Sequence, residues 1–263
     1  NKKTKVIVII HMQGLPIDYL DKLKNFCKFK KIILIEDAAP ALGSYFKNKA
    51  LGSFGDFATF SFHETKNYTS GLGGLLVINN KKYRRISDLV FDKGTDRTYV
   101  TSKSNYYKKY YSWLTLGSSF RMAELNASYL QPQINDIGKV IKYRSQLYKR
   151  YLKNLNPLKK NFFSICNKIK HNYKYNFHAF TIILKKNERE KFLKYLKKNK
   201  IIAFISFEAL HLSDYGRKLL TKKTNLDNTN EIIRKIIRFP MHNKLKLSEV
   251  DYISRKVKDY FNK

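Results

Sequence analysis

The chain has 263 residues, 43% of them hydrophobic and 14% aromatic, which is enough apolar material for a packed core and argues against global disorder. Against 20 acidic residues stand 53 basic ones, giving a formal charge of +33, a field that attracts phosphorylated partners. Only 11 of the basic residues are arginine, the residue of bidentate base recognition, so the surplus reads as lysines on solvated faces and disfavours nucleic acid.

In chain order, Lys5–Ile10 predicts a buried strand, Ile17–Lys28 a helix, and Lys31–Ile35 a second buried strand running into Glu36 and Asp37. Phe57–Phe62 and Gly74–Ile78 predict two more strands. From Met122 to Tyr151 the pattern is helical, with Met122, Leu125 and Tyr129 on one stripe. Beyond Pro157, Asn176–Leu184 and Ile201–Phe207 predict strands, with Glu188–Lys198 a helix between them. A last amphipathic helix carries Val250, Ile253, Val257 and Tyr260, with Ser248 and Asp251 as its capping box. Apolar strands alternating with helices predict an α/β fold with a mostly parallel sheet, helices on both faces and a small C-terminal α+β domain. The expected division is 1–157 and 158–263. No apolar run is long enough to span a bilayer, and Cys27 and Cys166 show no CxxC spacing. A soluble protein of a reducing cytoplasm is the expectation.

The chemistry concentrates between residues 37 and 74. Ligands of parallel sheets bind at the carboxyl ends of strands, where Asp37 sits. Lys66 follows the third strand, flanked by Ser61, Thr65 and Asn67. A partly desolvated amine there becomes a nucleophile toward carbonyls, and Ser61 offers a hydroxyl to a phosphate oxygen. Carboxylate and lysine at adjacent strand ends are the two parts a pyridoxal site requires. Each residue alone also has a plainer reading, a surface lysine and a helix cap. The six histidines show no metal-ligand spacing, so no metal is expected. Tyr106, Tyr107, Tyr110 and Tyr111 could stack on bases, although packing is the commoner fate of such a cluster.

Ile35-Glu-Asp-Ala-Ala39, Gly52-Ser-Phe-Gly-Asp56, Phe60-Ser-Phe-His-Glu-Thr-Lys-Asn67 and Gly71-Leu-Gly-Gly74 resemble the DegT/DnrJ/StrS sugar-nucleotide aminotransferases, which have the type I aminotransferase fold. Lys93–Arg97, Tyr111–Trp113, Gly117–Ser119, Ala209–His211 and Arg238–Pro240 are similar to the branch of dTDP-4-amino-4,6-dideoxygalactose transaminases. The resemblance implies pyridoxal 5'-phosphate held by Lys66 as a Schiff base, Asp37 on the ring nitrogen, Ser61 on the phosphate and Ala39 against the ring. It places Asn67 and Ser119 near the cofactor, and Arg121, His211 and Arg238 toward the substrate. Glutamate as amino donor, a nucleotide-linked 4-keto-6-deoxysugar as acceptor, a homodimer, and a role in lipopolysaccharide or other cell-surface glycan synthesis are implied as well. The chain departs from the pattern at Pro40, where glutamine is usual, at Leu72 for a glutamate and at Ser206 for a histidine. The family's N-terminal portion, with its phosphate loop, has no counterpart before Asn1, so a fragment of a longer protein is the expectation. A non-catalytic dimerisation or regulatory module is the alternative. Affinity for duplex DNA is expected to be weak at moderate salt in a titration; a binder of nucleic acid would show tight binding with a steep salt slope.

Overall fold

The computed structural model describes residues 1–97, 110–166, 169–205, 207–220 and 225–262. They form two compact units, Asn1–Ile137 with Asn172–Lys174, and Gly138–His171 with Tyr175–Lys263. In the first unit, β1 (Val6–Ile10), α1 (Leu20–Lys30) and β2 (Ile33–Asp37) precede two short strands, β3 (Tyr45–Phe46) and β4 (Lys49–Ala50). Then come β5 (Phe57–Ser61), β6 (Gly74–Ile78), α2 (Arg84–Phe91) and α3 (Glu124–Asn135). The main sheet runs β1-β2-β5-β6, with the first three strands parallel and β6 antiparallel.

Register brings the functional ends together. Ile10 lies opposite Asp37, Asp37 opposite Thr59, and Ser61 opposite Gly74. Because side chains alternate along a strand, Leu34 and Glu36 share one face of β2 while Ile35 and Asp37 share the other. The first face is covered: Ile9, Leu34, Ala58 and Phe60 pack in one core with Leu20 and Cys27 of α1. On the other face Val8 and Ile10 are 59% and 53% exposed.

Predicted and observed elements differ in instructive places. α1 starts three residues later than expected and runs on to Lys30, closed by Lys31 in the left-handed region at φ 55°. The helical stretch from Met122 is two helices, α3 and α4 (Ile137–Lys159), and its apolar stripe is not a core face, since Leu125 and Tyr129 are exposed. Pro157 lies inside α4, where it removes one hydrogen bond without ending the helix, so the division between units falls at Ile137/Gly138 instead.

The second unit holds β7 (Phe163–Ile165), β9 (Phe180–Leu184), α5 (Arg189–Lys198), α6 (Asp214–Leu219), α7 (Asp227–Ile233), β10 (Ile236–Phe239) and α8 (Leu247–Phe261), while β8 (Tyr173–Lys174) pairs with β3 in the first. Its antiparallel sheet runs β10-β9-β7. Residues 176–179 precede β9 rather than extending it, because buried Arg144 takes the carbonyls of Phe177 and His178 at 3.0 and 2.8 Å. Among the described residues of the expected strand 201–207, the pairing is a single bridge between Phe204 and Arg238. α8 starts at Leu247, before the expected Ser248 cap, because Glu249 accepts from the Lys246 N–H at 2.7 Å.

Aromatic rings fill this unit's core, with Phe180 stacked on Tyr151 at 4.8 Å and tilted against Phe239 at 6.2 Å. Phe180 is fully buried, so Phe180→Ala is expected to destabilise the protein by about 3–5 kcal/mol, read as a lower urea midpoint.

Candidate active site

The carboxyl ends of β1, β2 and β5 meet at one edge of the sheet. The His11 N–H donates to the Asp37 carbonyl at 2.9 Å, the Ala38 N–H to Thr59 at 2.9 Å, and the Ser61 N–H to Ala39 at 3.4 Å. Asp37 and Glu36 then do opposite things. Glu36 is fully buried and its carboxylate accepts from the N–H groups of Gly52, Phe54 and Gly55 at 2.6–2.8 Å and contacts His11 Nε2 at 2.8 Å. Burial by itself would raise its pKa, but the His11 contact and the hydrogen bonds from Gly55 and Gly52 outweigh it and hold the carboxyl below its ordinary value. The turn that supplies those donors needs glycine. Gly52 has φ +89°, and a Cβ at Gly55 would stand 2.5 Å from the Leu34 carbonyl. Asp37, half-buried on the other face, uses one oxygen to accept from the Ala39 N–H at 3.1 Å.

Lys66 rises from a loop of residues 62–73 that leaves this same edge. The loop is closed across its base by Phe62 N–H to Gly73 and Ser70 N–H to Phe62, both at 2.9 Å, and turns at Lys66 N–H to His63, also 2.9 Å. The Ser61 hydroxyl oxygen accepts from the His63 N–H at 3.3 Å, which orients it at the start of the loop. α3 holds the far side. Gln133 bonds both the N–H and the carbonyl of Thr69, at 3.1 and 2.8 Å, and Asn126 donates to Ser70 at 2.6 Å. Tyr68 is buried and donates to Ile137 at 3.3 Å. Asn67, beside the lysine, is buried.

Asp37, Ala39, Ser61, Lys66 and Asn67 are therefore gathered on one edge of the first unit. Ser119 and Arg121 belong to a neighbouring segment: Ser119 bridges Asp92, and Arg121 pairs with the buried Asp92 carboxylate at 3.0 Å. His211 and Arg238 lie in the second unit, His211 against Asn230 at 2.7 Å and Arg238 against His178 at 3.3 Å. Burial lowers the pKa of Arg238, opposed by nearby Tyr175. Leu72 is exposed at the glycine turn, and Pro40 follows Ala39 where the chain turns. Ser206, Tyr106 and Tyr107 lie outside the described residues, while Tyr110 and Tyr111 are exposed, Tyr111 tilted against Trp113. The sequence reading missed Glu36 and His11 as a buried pair, and Gln133 and Asn126 as anchors of the lysine loop. A carboxylate next to Asp37 with a doubly glycine-bearing turn downstream was the available signal for the first pair; the second pair leaves none.

An α/β sheet with a lysine loop, a carboxylate and a hydroxyl at one strand edge defines the class of fold type I, pyridoxal-phosphate-dependent aminotransferases. The chain belongs to the DegT/DnrJ/EryC1/StrS aminotransferase family, whose profile matches residues 1–258. It is 29% identical to the GDP-perosamine synthase of Vibrio cholerae over 268 residues, covering 100% of this chain and 68% of the relative. Among solved structures it superposes on Helicobacter pylori PseC, an aminotransferase involved in the biosynthesis of pseudoaminic acid, with a TM-score of 0.88 at 22% identity, covering 100% of this chain and 68% of that one. The PLP form of the putative sugar aminotransferase Spr1654 of Streptococcus pneumoniae gives 0.83 at 23% identity, covering 98% and 68%. The chain thus spans about two thirds of the length of these relatives. The family's cofactor is pyridoxal phosphate, and the donor set here fits it: an amine for the aldehyde, a carboxylate for the ring nitrogen and an oriented hydroxyl for the phosphate.

Glu36→Ala leaves three buried N–H groups and His11 unpaired and is expected to cost about 3–5 kcal/mol in a denaturant titration. Because the folded pKa of Glu36 is depressed, its contribution is complete above the ordinary carboxylate value of about 4.3 and fades as pH falls through the lower folded value. Glu36→Gln should therefore flatten the acid limb of the stability profile relative to the parent protein.

Proposed function

We propose that this chain carries the catalytic lysine of a sugar-nucleotide aminotransferase that moves an amino group from glutamate to a nucleotide-linked 4-keto-6-deoxysugar of the dTDP-4-oxo-6-deoxyglucose type, for cell-surface glycans such as lipopolysaccharide. The observation that carries this reading is the edge shared by Asp37 and Ser61, with the Lys66 loop fastened at its base and to α3. A relative named GDP-perosamine synthase supports a nucleotide-linked substrate. Homodimeric assembly comes by resemblance to the family.

Pyridoxal phosphate, when bound, supplies an aldehyde for amine exchange and a ring that accepts electrons. Lys66 Nζ would hold that aldehyde and would be the base placed to move a proton at the substrate carbon. The Asp37 carboxylate would keep the ring nitrogen protonated, since an anion at that point favours the charged form. Ser61 Oγ and the Asn67 side chain would hold the cofactor's phosphate end and the lysine's surroundings, and Ala39 would bear on the ring face. Ser119 would close the cofactor side, while Arg121, His211 and Arg238 serve the sugar nucleotide. The excess of lysine raises the local concentration of a diphosphate-bearing substrate.

Borohydride reduction of the pyridoxal-phosphate-loaded protein is expected to add the cofactor's mass to the peptide that carries Lys66, and Lys66→Ala to abolish that adduct. Amino transfer to a nucleotide-linked keto sugar should fall by at least about 100-fold in Lys66→Ala, the scale of a lost proton-transfer group. Asp37→Ala should keep the adduct and lose turnover. An adduct on another lysine, or none, would overturn the assignment and favour a non-catalytic module.

A further inference from the structure

We propose that the groove at the amino-terminal edge of the four-stranded sheet is a second anion site that takes a diphosphate group. The groove encloses about 830 Å³ and is lined by Lys5, Lys24, Lys28, Lys31, Lys82 and Asp56, among other residues. It opens where β1, β2 and β5 begin and β6 ends, roughly 15 Å of strand away from the Asp37 and Ser61 tips. Cofactor and groove thus occupy opposite ends of one sheet.

Charge is the first argument. Five lysines and a single carboxylate residue line the groove, and Asp56 is already engaged, accepting from the Leu34 N–H at 3.0 Å and Asn80 Nδ2 at 2.7 Å. Lys47, Lys235 and Lys256 pair with carboxylates, and none of them lines the groove. Crowding is the second. Lys24, in the lining, and Lys49 point at one ring, with their amines 5.9 and 4.7 Å from the Phe54 centroid. The Lys49 pKa is lowered, by burial first and then by the neighbouring Lys24 amine. Lys49 lies outside the lining and also has Asp21 and Glu36 near it, but the like charge beside Lys24 raises the positive potential at the groove, which an anion would relieve. The five lysines come from separate stretches, the approach to β1, α1, the turn after it and the turn after β6, and share one groove. Compact point charges suit phosphate oxygens without demanding a planar fork, and the volume admits a nucleoside diphosphate as readily as inorganic pyrophosphate.

The test is isothermal titration of the pyridoxal-phosphate-loaded protein, so that the phosphate position at Ser61 is already filled. Inorganic pyrophosphate and thymidine diphosphate are the probes, with sulfate at matched ionic strength as the control. Saturable binding of pyrophosphate is expected, weakened at least about tenfold in the double variant Lys24→Gln/Lys28→Gln. The charge-matched variant Lys191→Gln/Lys194→Gln, on exposed positions of α5, should bind as the parent does. Tighter binding of thymidine diphosphate would name a nucleotide as the source of the diphosphate, and equal binding would name the diphosphate itself; both support the site. Absence of saturable binding, equal weakening by both double variants, or equal affinity for sulfate would overturn it.

Discussion

The arrangement depends on one buried carboxylate. Glu36 sits in the core with no exposure, and it is tolerated there only because three backbone N–H groups and His11 surround its two oxygens. Those four partners come from two separate stretches, the end of β1 and the turn before β5. A single side chain thereby ties together the three neighbouring strands that carry Asp37 and Ser61. Glu36 and Asp37, adjacent in sequence, face opposite sides of the sheet, so one carboxylate is consumed by the scaffold and the next stays half-buried on the other face.

The lysine loop shows the same economy of backbone hydrogen bonding. A free loop of this length would let a four-carbon side chain sample many positions, at the entropic cost that ordering it later demands. Here the loop is pinched at its base between Phe62 and Gly73 and held from outside by Gln133 and Asn126 of α3. The placement of the Lys66 loop thus depends on a helix more than fifty residues downstream, whose Leu125 and Tyr129 are exposed.

Much of the first unit was legible because strand signals there are strong. Val6–Ile10, Ile33–Asp37 and Gly74–Ile78 are apolar, β-branched runs bounded by turn residues, and each forms a strand within two residues of its expected bounds. The second unit was harder where tertiary partners overrode propensity. Arg144 claims two carbonyls that would otherwise extend β9, and the described residues of 201–207 find one bridge position rather than a full edge. Pro157 looked like a boundary because proline usually ends helices, yet the last turn of α4 absorbs it.

By itself the sequence determined the chemistry on offer: an amine at Lys66, a carboxylate at Asp37, a hydroxyl at Ser61, and the family to which their spacing belongs. Those identities are covalent, and local pattern suffices to place them near strand ends. Only the tertiary structure decided which of two adjacent carboxylates is buried, which helix holds the lysine loop, and that five lysines from separate elements line one groove. Each of those outcomes depends on strand register and on hydrogen bonds between distant residues, and neither is encoded in any short window of the chain.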